Sequence, residues 1–162
     1  MTDIAVKPQR TQTQATQTQA IVIEAMFRHP PQTLWRALTT GTLIARWMME
    51  PAGFAAVVGN RFTFRTTPAG AWDGVIHCEV LDVVPNERLS YAWRGGDDGN
   101  AGYGSKLDTV VTFTLQPAGS GTRLRLEHAG FELPKNDTAY QNMGKGWKKV
   151  VENIGTVVDE PR

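Results

Sequence analysis

A chain of 162 residues sits within the size range of one domain and is long enough to bury a sizeable core. Its 17 Lys and Arg against 16 Asp and Glu leave a net charge of +1, which offers no long-range attraction to nucleic acid or to an anionic membrane surface. Cys78 is the single cysteine, so no internal disulfide forms. With no apolar run near the roughly 18 residues of a membrane span and no secretory-type N-terminus, the sequence reads as soluble and cytoplasmic.

Residues 1–19 carry the polar repeat TQTQATQTQ and almost nothing to bury, and are expected to be a disordered leader ahead of a single domain at 20–162. A β-branched, apolar strand follows from Ala20 to Arg28. His29-Pro30-Pro31 stops it and opens a helix with Leu34, Trp35 and Leu38 inward, for which Gly41 is the expected left-handed terminator. A second short helix is expected over Thr42–Met49, ended by Pro51 and Gly53.

From Gly59 the apolar period becomes two. Alternating strands are expected at RFTF (residues 61–64), Trp72–Val84, ERLSYAWRG (residues 87–95), Thr109–Gln116 and Thr122–His128, the last two joined by a turn at Pro117–Gly121. Residues 95–104, GGDDGNAGYG, read as a mobile loop and not as a phosphate cradle, because no helix start follows. The chain closes on a long helix, Asp137–Val158, whose Tyr140, Met143, Trp147, Val150, Val151, Ile154 and Val158 form one stripe. Thr138 and Gln141 have the spacing of a capping box. Gly144, Gly146 and Gly155 interrupt this helix, each costing roughly 1 kcal/mol against Ala, which calls for either a close backbone approach or a loose helix. The class is α+β: about six antiparallel strands, two short helices after the first, and a long C-terminal helix across the inner face.

Several stretches in this order resemble a known family: PPQTLWRALTTGTLIARWM, RFTF, DGVIHCEVLDVVPNERLSYAW, GTRLRLEHAGF and the helix around Trp147. Together they are similar to the START-like (SRPBCC, helix-grip) superfamily. Within it they match the group named for homology to the C-terminal domain of the activator of the ninety-kilodalton heat-shock chaperone ATPase. The resemblance covers residues 20–158. It implies an apolar cavity between a curved sheet and the last helix, in which superfamily members hold lipids, sterols, polyketides or hormones and some act as cyclases or hydroxylases.

Strand and helix parity nominate the residues facing such a cavity: Phe62, Phe64, Leu89, Tyr91, Trp93, Val111, Phe113, Leu124, Leu126 and His128, opposite Met143, Trp147, Val150, Val151 and Ile154. The alternative is that these side chains pack on one another as core. His128 is the sharpest polar candidate. Burial would favour a neutral ring that accepts a proton or hydrogen-bonds a ligand, with His128 or Tyr91 as the proton handler of an enzyme; the alternative is a satisfied or partly exposed strand-end histidine. His77 and Glu79 share the opposite parity from Ile76, Cys78 and Val80 and are expected on the solvated face, as is the cluster Lys145, Lys148 and Lys149.

The three histidines and Cys78 show no ligand spacing, so no metal and no cofactor are expected; nor does any nucleotide-phosphate motif occur. The expected function is binding of a small hydrophobic or aromatic molecule, with no catalytic residue assigned. The alternatives are an enzyme of the polyketide cyclase or hydrolase type in the same cavity and a stress-related cofactor of the chaperone ATPase. An edge strand and exposed apolar residues would permit a homodimer.

Overall fold

The computed structural model describes residues 17–160. Residues 1–16, most of the expected leader, lie outside the described residues. The elements are β1 Gln17–Phe27, α1 Pro31–Thr39, α2 Gly41–Trp47, β2 Arg61–Arg65, β3 Val75–Val84, β4 Arg88–Gly95, β5 Leu107–Ala118, β6 Gly121–Leu133 and α3 Asp137–Asp159. The six strands form one antiparallel sheet in the order β1-β6-β5-β4-β3-β2. Period-two patterning places Phe62, Phe64, Ile76, Tyr91, Trp93, Val111, Phe113, Leu124 and Leu126 on the inner face, all buried. His77 and Glu79 take the outer face, opposite Arg94 and Ala92.

Local chemistry moved several boundaries. β1 begins at Gln17 rather than Ala20, because Gln17, Thr18 and Gln19 find partners in Leu133, Glu132 and Phe131. β6 runs past His128 because Gly130, at φ 107°, absorbs a bulge, the register skipping from Phe131 to Ala129 against Gln19 and Ala20. The bulge turns Phe131 inward, where it is fully buried. Gly41 is not a left-handed terminator. It starts α2, and the chain between α1 and α2 turns at extended Thr40. α2 ends at Trp47, two residues short of the expected Met49.

The capping box on α3 does not form. Asn136 precedes the helix and spends its amide elsewhere: its Oδ1 accepts from the Glu132 N–H at 2.8 Å, while its Nδ2 donates to Ser105 Oγ at 3.0 Å and to the Lys106 carbonyl at 2.9 Å. This buried side chain pins the β6–α3 corner to the start of β5. The other end of α3 is also held. Asp159 accepts from His29 at 2.6 Å, Glu160 pairs with Arg46, and Val151, Ile154, Val157 and Val158 are buried. Gly155 is the close-approach glycine, since a Cβ there would sit 3.4 Å from the Phe27 ring. At Gly144 and Gly146 a Cβ would meet nothing within 4 Å. The helix is therefore anchored at both ends, with open space beside Gly144 and Gly146.

Candidate ligand cavity

The concave face of the sheet is only partly filled. α1 and α2 plug one end: Trp47 is buried, donates from Nε1 to the Ala37 carbonyl at 2.9 Å, and packs edge-on against Phe113 at 5.9 Å. Beside it Phe54, Phe62, Tyr91 and Phe113 form a chain of ring contacts with centroids 5.0–6.2 Å apart. Such packing consumes the apolar surface it covers and leaves no room for a guest.

Beyond this plug, under the N-terminal half of α3, a partly open cavity of about 260 Å³ remains. Its walls come from four places. Ile76, Trp93 and Gly95 contribute from the sheet, and Ala139, Asn142, Met143, Gly146, Trp147 and Val150 from α3. Met48 and Met49 follow α2, and Thr66, Trp72, Gly96, Tyr103, Gly104 and Ser105 belong to two loops. No Asp, Glu, Lys, Arg or His lines it.

Of the fifteen residues nominated by parity, the cavity brings together Trp93, Met143, Trp147 and Val150. Phe62, Phe64, Leu89, Tyr91, Val111, Phe113, Leu124, Leu126, His128, Val151 and Ile154 are buried in the surrounding core and do not line it. Parity distinguishes the two faces of a sheet, not which part of one face is covered. The plug helices and the anchored end of α3 take most of that face.

The loops supply what parity could not. The segment 96–106, which includes most of the stretch 95–104 expected as a mobile loop, is knitted into a wall by hydrogen bonds. Asp97 N–H donates to the Gly104 carbonyl at 2.9 Å, Asn100 Nδ2 donates to the Ala69 and Gly104 carbonyls at 2.8 and 3.1 Å, and Tyr103 Oη donates to the Thr67 carbonyl at 2.7 Å. Gly96, at φ 82°, lets the chain double back so closely that a Cβ would lie 2.1 Å from the Ser105 carbonyl oxygen. Trp72 is fixed by Nε1 donating to the Val75 carbonyl at 3.0 Å and packs against Tyr103 at 6.1 Å. Aromatic side chains inside Gly- and Pro-punctuated segments, Trp72 and Tyr103, were the available signal. The early end of α2 frees Met48 and Met49 as adaptable lining.

His128 lies behind the cavity wall at 0 % exposure. Trp147 Nε1, which can only donate, gives its hydrogen to His128 Nδ1 at 2.9 Å. Thr109 Oγ1 donates to the Trp93 carbonyl at 2.8 Å and lies 2.8 Å from His128 Nε2. Only one tautomer satisfies this relay: Nδ1 accepts and the Nε2–H donates to Thr109. Burial lowers its pKa to about 3, and a proton on Nδ1 would face the indole N–H. The ring is therefore a neutral bracket holding Trp147, with no nitrogen free for a substrate. Burial likewise pushes the Tyr91 phenol well above its usual range and the Cys78 thiol up to about 12.

A wider depression of about 420 Å³ lies on the outer face over Arg61, Thr63, His77 and Arg94. Its charged walls pair with neighbours, Arg61 with Glu79 at 3.8 Å and Arg94 with Asp108 at 3.0 Å. Among the described residues no three His, Cys, Asp or Glu side chains gather into a metal site, and no helix is long and apolar enough to cross a membrane.

Residues 28–159 match the family model described as activator of Hsp90 ATPase homolog 1-like protein. The chain belongs to this family. The activator of 90 kDa heat shock protein ATPase homolog 1 of Mus musculus is 24% identical over 129 residues, which cover 80% of this chain and 33% of that protein. The chain thus spans about a third of the length of that relative. The crystal structure of MLL2253 from Mesorhizobium loti matches at 40% identity with a TM-score of 0.74, covering 87% of this chain and 97% of that one. CalU16 from Micromonospora echinospora matches at 25% identity with a TM-score of 0.68, covering 88% and 77%. The activator-homologue family and the helix-grip fold expected from the sequence are those found.

Proposed function

We propose that the protein binds a small, neutral, ring-bearing or otherwise apolar molecule in the cavity between α3 and the sheet. The observation that carries the reading is the lining itself: three indoles, three methionines and one tyrosine, with no charged group. Binding sites are built this way, apolar walls with few polar groups. An apolar cavity of roughly 150 Å³ holds one benzene. At about 260 Å³ this one suits a guest of one to two fused rings.

Acid–base catalysis draws no support from the geometry. Its two nominated residues, His128 and Tyr91, are outside the lining, and the one phenol inside it, Tyr103, donates to a backbone carbonyl. The fold is compatible with ligand-binding and cyclase-type roles alike, and the lining favours the former.

Trp72, Trp93 and Trp147 make the cavity self-reporting. Titration with one- and two-ring aromatic compounds should change tryptophan emission with saturation. Gly146→Leu places a side chain into unoccupied space on the cavity wall, so it should abolish the change without unfolding the protein. Unchanged binding by a folded Gly146→Leu variant would overturn the assignment to this cavity.

A further inference from the structure

The polar side chains of the cavity divide by place and by commitment. In its buried and half-buried wall, Trp72 Nε1 donates to the Val75 carbonyl, Trp147 Nε1 donates to His128, and Ser105 Oγ accepts from the Asn136 amide. Trp93 Nε1 is closed to solvent and offers a guest nothing. This wall therefore presents mainly ring carbon and thioether. The open side differs. Asn142 and Thr66 line the same cavity and are exposed, which puts them where it meets solvent. The exposed Tyr103 has given its proton to the Thr67 carbonyl, whereas the described residues provide no partner for the Asn142 amide or the Thr66 hydroxyl. Asn142 is the better placed of these two. It sits on α3 between Ala139 and Gly146, both in the lining, and Gly146, one turn on, has no side chain to cover it. Its amide carries two donors and an acceptor oxygen, so it serves a hydroxyl, carbonyl or amide alike.

We propose that the preferred guest is a neutral amphiphile, an apolar ring body with one uncharged hydrogen-bonding group at one end, which binds ring first with that group held by Asn142 at the mouth. The inference rests on the binding function proposed above and adds the polarity of the guest and its direction of entry. The direction follows from the cost of burial. A hydroxyl driven inward would exchange its water for ring carbon and thioether, whereas at the mouth it keeps water on one side and meets the amide on the other. A charged head gains nothing from the lining, which holds no side chain of opposite charge. A plain hydrocarbon fills the same space but leaves Asn142 to water.

The test compares tetralin with 2-tetralol, nearly equal in size and differing by one hydroxyl on the end remote from the aromatic ring, in wild type and in Asn142→Leu. Leucine keeps the branched outline of asparagine and its place in the helix, and removes the hydrogen bonds. The preference for the alcohol, read as the ratio of the two dissociation constants, should be about fivefold greater in wild type than in the variant, the worth of one net hydrogen bond. A second readout needs no variant. In wild type, nuclear Overhauser contacts should place the aromatic protons of 2-tetralol against Trp93 and Trp147, and the proton on its hydroxyl-bearing carbon against the Asn142 side-chain amide. Either an equal preference in the two proteins or the reverse orientation would overturn this inference, while saturable binding of both compounds leaves the binding function standing. Tighter binding of the corresponding 2-carboxylate would also overturn it. Binding of no compound at any soluble concentration would remove the binding function itself.

Discussion

Replacing His128 with asparagine should flatten the acid limb of the stability profile. In the folded protein the ring stays neutral down to about pH 3, because it is buried and its Nδ1 already accepts from Trp147. In the unfolded chain it takes a proton near its ordinary value of about 6.5. The folded pKa lies below the unfolded one, so between those values the unfolded state binds the extra proton. Stability is therefore unaffected above about pH 6.5, falls as the pH drops, and levels off near pH 3. Each unit is worth about 1.4 kcal/mol, so two units of acidification, to pH 4.5, remove about 2.7 kcal/mol through this one side chain. With a urea slope of about 2 kcal/mol/M, the wild-type midpoint should fall by about 1.4 M more than that of His128→Asn between pH 7 and 4.5. Asp159 and Glu160, held below the usual carboxylate range by hydrogen bonds from His29 and Arg46, also lose stabilisation on acidification. That contribution is shared by both proteins and cancels in the difference. Equal midpoint shifts in wild type and variant would show that His128 is not a buried neutral bracket.

Other consequences are as direct. Gly144→Ala and Gly146→Ala should each raise stability by about 1 kcal/mol in thermal or urea melts, since neither Cβ meets an atom; Gly155→Ala, against the Phe27 ring, should gain less. Asn136→Ala removes three hydrogen bonds at the β6–α3 corner and should lower stability by about 2–4 kcal/mol, with a loss below 1 kcal/mol contradicting its anchoring role. Cys78, buried and raised to about 12, should react with a disulfide reagent at pH 8 only as fast as the protein opens; labelling at the rate of a free thiol would refute its burial.

The sheet was legible because antiparallel strands with one covered face alternate strictly, and no tertiary contact needs to be known to read that pattern. The long helix was legible for the same reason at a different period. What escaped depended on partners distant in sequence. Nothing in the pattern around Asn136 marks it, and only its contacts with Ser105 and Lys106 make it a corner post. The strand expected to stop at His128 runs on, because a bulge at Gly130 shifts its register against Gln19 and Ala20 of β1. The cavity was legible in part: Trp93 and Trp147 follow from parity, whereas Trp72 and Tyr103 reach it on loops whose course is set by hydrogen bonds such as Asn100 to Ala69. Parity also placed His128 inward but could not reveal that Trp147 and Thr109 would occupy both its nitrogens.

The most direct test of the cavity is the indole region of a ¹H–¹⁵N correlation spectrum, in which each of the five tryptophans gives one resonance. On titration with 1-tetralone, Trp72, Trp93 and Trp147 should shift together with a common dissociation constant, while Trp47, buried against Phe113 in the plug, stays in place. Shifts confined to Trp47, or saturable binding that leaves all three cavity indoles unmoved, would contradict a ligand site between α3 and the sheet.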